Sequence, residues 1–423
     1  YEIAQCLVGS EMCIRDSPMS DDLIQLAHVT TPRIIKVIGV GGGGGNAVAQ
    51  MYRDNIPEVR YMVANSDKKA LEDNPVPDHL QLGPGLGAGG NPETGRELAM
   101  DSVDLIAKAL DDETKMVFIT AGMGGGTGTG ASPVIAHEAR KKGILTIGIV
   151  TIPFLFEREK QIDKALDGLE ALSKEVDAML VINNERLCDI YPDLSIINAF
   201  KRADETLSTA VSSITEIISM HGRVNLDFQD VCTALRNGGV AVMSSGYGEG
   251  EERVSKAIYD ALNSPLLNNN DVFRAQHILL AITTSDSGEN GLLTSEMNEI
   301  TDFMSKFNAN IETKWGLAFD PNLGKKIKIT IIASGFGLFG NAKQVAPQQQ
   351  TISEEEALER EEQRNKYYGA TRNKRTRKRS SIYLFTEDDL SNLEVISEVE
   401  SVPTYKRTAE YLRNIKQLSK TNN

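Results

Sequence analysis

The sequence is poor in cysteine and has no long apolar run. Its four cysteines include no C-x-x-C pair, and this pattern gives neither a disulfide framework nor a zinc site. No apolar stretch approaches the roughly 20 residues of a membrane-spanning helix, so we expect no transmembrane segment. These absences indicate a soluble protein of a reducing cytoplasm.

Positive charge is also in short supply. Lys and Arg number 45 against 59 Asp and Glu, which gives a formal net charge of −14. A general nucleic-acid-binding protein would present a basic surface, so we expect no specific nucleic-acid partner. With 423 residues, 40% of them apolar, the chain is long enough for two domains and additional segments.

The first eighteen residues, YEIAQCLVGSEMCIRDSP, fit nothing that follows them. They lack the basic and apolar regions of a signal peptide. We interpret residues 1–18 as a non-native leader and Met19 as the natural start. Cys188 and Cys232 would then remain as buried thiols.

Residues 31–193 alternate between apolar strands and helices. Apolar strands separated by helices are typical of a parallel sheet covered on both faces, so we predict a Rossmann-like α/β domain. A single helix is expected at 94–110. The predicted strands are 33–40, 59–67, 116–121, 143–154 and 178–184.

A long helix is predicted for residues 194–222, as a central spine between two domains. Beyond it, residues 223–340 alternate strands such as HILLAITTS with amphipathic helices, which predicts a second, α+β domain. The apolar stripe of the long helix recurs at intervals of three and four residues. Its members are Ile196, Phe200, Ala203, Leu207, Ala210, Ile214 and Ile217.

The composition changes after residue 340. Residues 341–400 hold a Gln-rich stretch, an acidic run and the basic run RNKRTRKR at 372–379, with little core material, so we predict a flexible, disordered linker. Residues 401–423 regain aromatic and aliphatic side chains with basic flanks. An apolar island at the end of such a tail predicts a peptide that folds onto a partner.

Two glycine-rich loops, GVGGGGGNAV (39–48) and AGMGGGTGTGAS (121–132), follow predicted strands and run into helices. In an open α/β sheet, ligands bind at the carboxyl ends of the strands, where helix N-termini favour phosphate. Thr127 and Thr129 add hydroxyl donors. Residues 122–130 contain six glycines, which we interpret as close approach of the backbone to phosphate. The sequence has no G-x-x-x-x-G-K-[ST], so a P-loop NTPase is excluded.

The first loop alone leaves other interpretations open. Gly39, Gly41 and Gly44 fit G-x-G-x-x-G, and Asp67 could be the ribose-binding acid of an NAD-dependent oxidoreductase. That alternative gives the second loop no role. A pair of tight turns without a ligand is a second alternative, but the presence of two such loops on neighbouring strand ends argues against it.

Four motifs resemble the tubulin and FtsZ superfamily. GGGTGTG (124–130) is similar to its signature, and GVGGGGGNAV to its first phosphate loop; GLGAGGNPETG (85–95) and NLDFQDV (225–231) resemble two further loops in the expected order. The resemblance covers residues 33–337, and VPTYKR resembles the family's tail peptide. It implies a cytoplasmic GTPase that polymerises head to tail into the mid-cell division ring of bacteria. A filament protein that binds GTP with little turnover stays open.

The resemblance also implies ligands, partners and site residues. The ligands are GTP or GDP with Mg²⁺, and the partners are further copies of the chain and, through the tail, membrane-anchoring and regulatory division proteins. Glu157 matches a ribose contact, and Phe200 a residue that packs on the base. Asn184 and Asp204 match guanine contacts, although without the resemblance both would be read as solvated polar positions. Contacts to the nucleotide and its phosphates are implied for Gly42, Gly43, Gly44, Gly45, Asn46, Gly126, Thr127 and Gly128.

One loop departs from the family pattern. The family usually reads FEGxxR, with the arginine reaching the nucleotide, whereas this chain reads FEREKQ at 156–161. Arg158 therefore stands at the glycine and Gln161 at the arginine. Arg158 or Lys160 could substitute for that arginine.

The candidate catalytic residues are Asn225, Asp227 and Asp230 in NLDFQD. They follow the long helix and lie too far along the fold to reach their own nucleotide. The resemblance implies that these residues complete the site of the next subunit. A structural alternative stays open, in which Asp227 caps the helix FQDVCTALRN and Gly238 closes it; capping would then explain one acid of the two.

Overall fold

The computed structural model describes residues 33–336, apart from 192, 221, 265–271, 273–274, 286–290 and 308–310. The predicted leader (1–18), linker (341–400) and tail (401–423) lie outside the described residues. In the described part of the chain, no helix combines the length and apolar character needed to cross a membrane.

Eleven strands and eleven helices are found among the described residues. The strands are β1 (Ile35–Val40), β2 (Val59–Asn65), β3 (His79–Gln81), β4 (Met116–Gly122), β5 (Leu145–Ile152), β6 (Ala178–Asn183), β7 (Gly222–Val224), β8 (Gly239–Gly248), β9 (His277–Thr284), β10 (Glu312–Phe319) and β11 (Ile327–Phe336). The helices are α1 (Gly41–Asp54), α2 (Lys68–Glu72), α3 (Pro92–Asp101), α4 (Val103–Ala109), α5 (Thr127–Lys141), α6 (Glu159–Ser173), α7 (Asn184–Ile190), α8 (Ile196–Ser219), α9 (Phe228–Leu235), α10 (Arg253–Leu262) and α11 (Glu296–Met304).

The strands form one sheet in the order β3-β2-β1-β4-β5-β6-β8-β11-β9-β10-β7. Strands β1 to β6 are parallel, whereas β11 runs antiparallel to β8 and β9. The two parts of the sheet meet only where Ala178 and Met179 of β6 pair with Gly239 and Val240 of β8. A parallel α/β part, a long helix and a second mixed part confirm the predicted fold class.

The first part of the sheet is covered on both faces. Strands β1, β5 and β6 are buried along their whole length, and separate apolar clusters fill the two sides of the sheet. A third cluster packs α10 and α11 onto the second part. The near-continuous apolar runs in the sequence follow from this double burial.

Helix α8 is the predicted central helix, and Ser195 caps it by accepting the Asn198 N–H. The apolar stripe is buried from Ala203 onward, but Ile196 and Phe200 are 62% and 43% exposed. The first turns of α8 therefore lie outside the core, beside the carboxyl ends of the parallel strands.

The single helix expected at 94–110 is wrong, because α3 and α4 are separated at Ser102. The buried Ser102 hydroxyl donates to the Leu98 carbonyl oxygen and accepts the Gly83 N–H at 3.1 Å. Such side-chain bonds compete with the helical hydrogen bonds of the backbone. This serine thus interrupts the helix and fixes the start of the loop at 83–90.

Candidate nucleotide-binding site

Two helix N-termini lie side by side at the carboxyl edge of the sheet. Helix α1 follows β1 directly and α5 follows β4, and neither helix has a side-chain cap. Strands β1 and β4 are neighbours at the point where the strand order reverses, which is where open α/β sheets bind ligands. The first-turn N–H groups lack helical partners, so the edge favours an anion.

Some glycines of the two loops are needed for close packing of the protein's own backbone, a role that the sequence did not predict. A Cβ on Gly44 would lie 2.2 Å from the Thr120 carbonyl oxygen, and one on Gly128 would lie 2.8 Å from that of Gly122. At these two positions the close approach of the protein's own backbone already requires glycine. A Cβ on Gly42, in contrast, would meet no atom within 4 Å.

The open side of the first loop is formed by Gly42, Gly43 and Asn46, which are exposed, while Gly44 and Gly45 are buried. In the second loop the predicted residues divide in the same way. Gly126 and Gly128 are buried, and Thr127 is half-buried. Backbone N–H groups and a few short polar side chains are therefore what this edge offers a ligand.

The hydroxyl groups of the second loop have different roles. Thr127 Oγ1 lies 2.5 Å from the hydroxyl of Ser66, a residue that follows β2. The buried Thr129 Oγ1 accepts the Gly124 N–H at 2.8 Å and so closes its own loop. Ser66 was missed in the sequence; the polar end of the strand VRYMVANSD was the available signal.

Three phenylalanine rings, from the turn after β5 and from helix α8, pack against one another. The rings of Phe154 and Phe156 stack at 5.0 Å, and Phe200 meets them edge-on at 5.0 and 6.5 Å. The predicted ribose contact, Glu157, accepts the Phe154 N–H at 3.0 Å, and burial raises the pKa of its carboxyl group. In this structure that carboxylate stabilises the turn carrying the two rings.

Glu185 is a second carboxylate that holds this turn, and sequence reasoning missed it. It is fully buried, and its Oε2 accepts the Leu155 N–H at 2.9 Å. Asn183 caps α7 by accepting the Glu185 N–H. Because β5 and β6 are paired neighbours, the turn after β5 and the start of α7 are brought together.

Burial is energetically unfavourable for the polar groups of both predicted guanine-contacting residues. Asn184 is 5% exposed, and its Oδ1 has no hydrogen-bond partner, so its interpretation as a solvated position is wrong. Burial raises the pKa of Asp204 to about 7, while Arg53 lowers it and Glu205 raises it. A buried acceptor without a partner is unfavourable, and a purine with N–H donors would relieve that cost.

Known proteins resemble the chain over most of its length. The Tubulin/FtsZ family GTPase domain matches residues 34–192, the FtsZ family C-terminal domain matches 239–337, and the FtsZ C-terminal region matches 377–422. The cell division protein FtsZ of Porphyromonas gingivalis is 46% identical, with coverage of 94% of this chain and 91% of that protein. The chain belongs to the FtsZ family.

Other FtsZ proteins give the same result. That of Aquifex aeolicus is 42% identical over 316 residues, which cover 74% of this chain and 85% of that protein. An empty FtsZ dimer of M. jannaschii superposes with a TM-score of 0.64 at 36% identity, covering 71% of this chain and 88% of that one. CetZ2 of Haloferax volcanii, a GTPγS-bound protofilament, shares the fold with a TM-score of 0.61 at 19% identity, covering 79% and 99%.

FtsZ-family membership makes this chain a GTPase of cell division that binds GTP and GDP and self-associates into filaments. It leaves no support for the oxidoreductase alternative. Asp67, the acid on which that alternative depended, is exposed and caps α2 by accepting the N–H groups of Lys69 and Ala70.

The loop that departs from the FtsZ pattern is strained. Arg158 has φ 77° and ψ 157°, a region that is essentially restricted to glycine and costs other residues roughly 1–3 kcal/mol. Gln161 lies against the second loop, because a Cβ on Gly124 would be 2.9 Å from its carbonyl oxygen. The strained residue precedes this contact by three positions in the sequence.

The three candidate catalytic residues lie together at the start of α9. Asp227 accepts the Asp230 N–H at 2.8 Å, and Asp230 accepts the Asp227 N–H at 3.0 Å. Asp230 also pairs with Lys314, and Asn225 accepts the Gly222 N–H at 2.8 Å. Helix capping can thus account for the presence of both Asp227 and Asp230, whereas it was expected to account for only one of them.

The end of α9 also differs from expectation. The helix ends at Leu235, and the left-handed backbone falls on Asn237 (φ 55°) and Gly239 (φ 62°) rather than on Gly238. Gly238 donates its N–H to the Leu235 carbonyl oxygen at 3.0 Å. Asparagine tolerates the left-handed region better than most residues, so it takes the position expected for glycine.

The acids are remote from the glycine loops of their own chain. Helix α9 packs on β9 and β11. Four steps across the sheet separate β4 from β11, or about 19 Å at roughly 4.8 Å per step. Neither glycine loop contains a carboxylate, and the described residues include no cluster of three His, Cys, Asp or Glu side chains suited to a metal.

Proposed function

We propose that GTP is hydrolysed at a site completed between two copies of the chain. One copy supplies the two glycine loops and the base pocket, and the next supplies Asn225, Asp227 and Asp230. The observation that carries this proposal is the separation of about 19 Å across the sheet between the loops and α9. GTP hydrolysis requires a group that positions water, and the loops contain no carboxylate.

The pocket binds the nucleotide through three sets of groups. The phosphates lie at the N-termini of α1 and α5, against Gly42–Asn46 and Gly126–Gly128. The base packs beside Phe200, and Asn184 and Asp204 recognise guanine, because an ionised carboxylate accepts the two N–H groups that guanine presents and adenine does not. Glu157 contacts the ribose, and Gln161 contacts the nucleotide at the position of the family's arginine.

Mg²⁺ accompanies the nucleotide in this proposal. This ion keeps several waters and is usually held by substrate phosphates together with one or two protein oxygens. Two protein oxygens at the second loop are the paired hydroxyls of Ser66 and Thr127. When bound, the ion neutralises the charge that develops on the phosphates.

The capping box gives the acids a defined orientation. Each carboxylate accepts a hydrogen bond from the backbone N–H of the other residue, which restricts the rotation of both side chains. Hydrogen bonding from Lys314 lowers the pKa of Asp230, which keeps this carboxylate ionised. A fixed pair of carboxyl groups is suited to positioning water on the neighbour's γ-phosphate.

Complementation between two inactive variants tests the shared site. Asp227→Ala keeps a complete pocket and lacks the acid, whereas Asp204→Ala keeps the acids and binds GTP weakly. We expect Asp227→Ala alone to lose about 10²-fold or more in phosphate release. A 1:1 mixture should regain about a quarter of the wild-type rate, since half of the pockets are intact and half of those face an intact acid.

Asp227→Ser is the matched control, because serine also caps helices. We expect it to melt close to the wild type and still to lose hydrolysis, whereas Asp227→Ala also loses about 1 kcal/mol of stability. A mixture that co-sediments but is no more active than its components would refute the shared site. Wild-type protein that binds GTP without steady phosphate release would favour the filament protein with little turnover.

We also propose that residues 401–423 bind membrane-anchoring and regulatory division proteins and so hold the filaments at the mid-cell site. Support comes from the match of residues 377–422 to the FtsZ C-terminal region and from the apolar island with basic flanks. Removal of residues 396–423 should leave GTP hydrolysis within about twofold and abolish binding to a membrane-anchored division protein. Equal binding by truncated and full-length chains would contradict this.

A further inference from the structure

Arg158 differs in backbone conformation from Asn55 and Glu252, two other non-glycine residues with positive φ. Asn55 (φ 50°, ψ 53°) and Glu252 (φ 54°, ψ 34°) lie in the ordinary left-handed region. Arg158, at φ 77° and ψ 157°, lies in a region that is occupied almost entirely by glycine. Residues held there cluster at functional sites, where the surrounding structure maintains the strain.

The strained residue joins two parts of the nucleotide pocket. It directly follows Glu157 in the aromatic turn, and its carbonyl oxygen accepts the N–H groups of Gln161 at 3.1 Å and Ile162 at 3.3 Å. Gln161 lies against Gly124 of the second loop. Arg158 is therefore linked to the second loop through Gln161, the residue three positions along the chain.

The two glycine loops carry no positively charged side chain for a polyphosphate. The segments 39–46 and 122–130 contain no Lys or Arg, and Lys164 donates instead to the Gly90 carbonyl oxygen at 2.6 Å. Arg158 is exposed, and among the described residues no carboxylate forms an ion pair with it. A guanidinium in this position is suited to bidentate binding of phosphate.

We propose that Arg158 binds the phosphates of the nucleotide and that its backbone strain is the cost of placing a guanidinium there. The proposal rests on the nucleotide pocket proposed above. It assigns the role to Arg158 and not to Lys160, which is also exposed but lies in the regular first turn of α6. The substitution Arg158→Gly should consequently raise the stability of the protein and lower its affinity for GTP.

The test uses the nucleotide-free full-length chain and measures Tm and the Kd of GTP with Mg²⁺. Arg158→Gly removes both strain and charge, so Tm should rise by a few degrees while Kd increases about tenfold. Arg158→Ala removes the charge and keeps the strain, so Kd should increase equally without a rise in Tm. The matched control Lys160→Ala should change Kd by less than about twofold.

Each other outcome overturns a defined statement. If Arg158→Gly raises Tm and binds GTP as tightly as the wild type, the phosphate role is refuted. If Arg158→Gly does not raise Tm, the strain is not stored at this residue. If Lys160→Ala weakens GTP binding as much as Arg158→Ala does, the assignment of phosphate binding to Arg158 rather than Lys160 is refuted. Failure of the wild type to bind GTP would refute the pocket itself.

Discussion

The helix N-termini at the two proposed halves of the site are capped in opposite ways. At the carboxyl edge of the parallel strands, α1 and α5 begin without a side-chain cap. In the second part, α9 begins with Asp227 and Asp230 capping each other's N–H groups. The first arrangement leaves backbone donors for an anion, whereas the second satisfies them internally and fixes two carboxylates.

The difference shows what each part must do before any ligand arrives. The glycine edge must keep space and donors available, and its stability comes from backbone packing behind the loops. The acid edge must keep two negative groups oriented, and its stability comes from the hydrogen bonds between them. The two edges should therefore fail differently when single residues are changed.

The largest effect is expected at the packed side of the first loop. A Cβ on Gly44 would lie 2.2 Å from the Thr120 carbonyl oxygen, so Gly44→Ala must displace β4 and should destabilise the protein by about 3 kcal/mol or more. Gly42→Ala places its Cβ in open space. That control should melt within about 2 °C of the wild type and bind GTP more weakly.

Thermal melting and GTP titration of both variants measure this contrast. Equal destabilisation by Gly42→Ala and Gly44→Ala would mean that the loop has no separate packed and open sides. Unchanged GTP affinity in Gly42→Ala would place the phosphates elsewhere on the edge.

A smaller effect is expected from the titration of Asp204. Its pKa is raised to about 7, chiefly by burial, and only the ionised carboxylate accepts both guanine N–H groups. The Kd of GTP should therefore increase about tenfold between pH 8 and pH 6, since one pH unit below the pKa leaves about a tenth of the group ionised. Fluorescence titration across this range is the measurement.

Asp204→Asn is the control, and it also tests the sign of the linkage. Because the folded pKa lies above the group's usual value of 3.8, its favourable contribution to stability is complete below pH 3.8 and is lost as the pH rises through 7. Asp204→Asn should consequently raise the Tm of nucleotide-free protein at pH 8 and remove the pH dependence of binding. A Kd that still changes tenfold in Asp204→Asn would assign the titration to another group.

The fold was predictable wherever the residues of a single strand or helix show its characteristic pattern. Buried parallel strands appear as apolar runs, so β1, β2, β4, β5 and β6 were found, and the resemblance to the tubulin and FtsZ superfamily is confirmed. The sequence did not reveal β3, β7 or β10, because β3 and β7 have three residues each and β10 (ETKWGLAF) is partly exposed. The continuity of the sheet between β6 and β8 depends on two residue pairs, which no local pattern records.

The site was predictable to a smaller extent. The glycine loops are visible as a pattern, whereas Asn184 and Asp204 were proposed only through the resemblance, and their roles stay predictions. Ser66 and Glu185 were missed because their partners, Thr127 and Leu155, are 61 and 30 residues away in the sequence. The strand order brings these pairs together, and strand order is a property of the whole sheet.

The packing of the glycine loops has a consequence for how such motifs should be used in evolutionary comparison. A descendant of this chain that no longer bound nucleotide would still need glycine at positions 44 and 128, because the neighbouring backbone leaves no room for a Cβ. Selection for folding alone would preserve most of GGGTGTG. The motif is therefore a marker of ancestry, and loss of the ligand would first become visible at Gly42, Gly43 and Asn46, which are exposed.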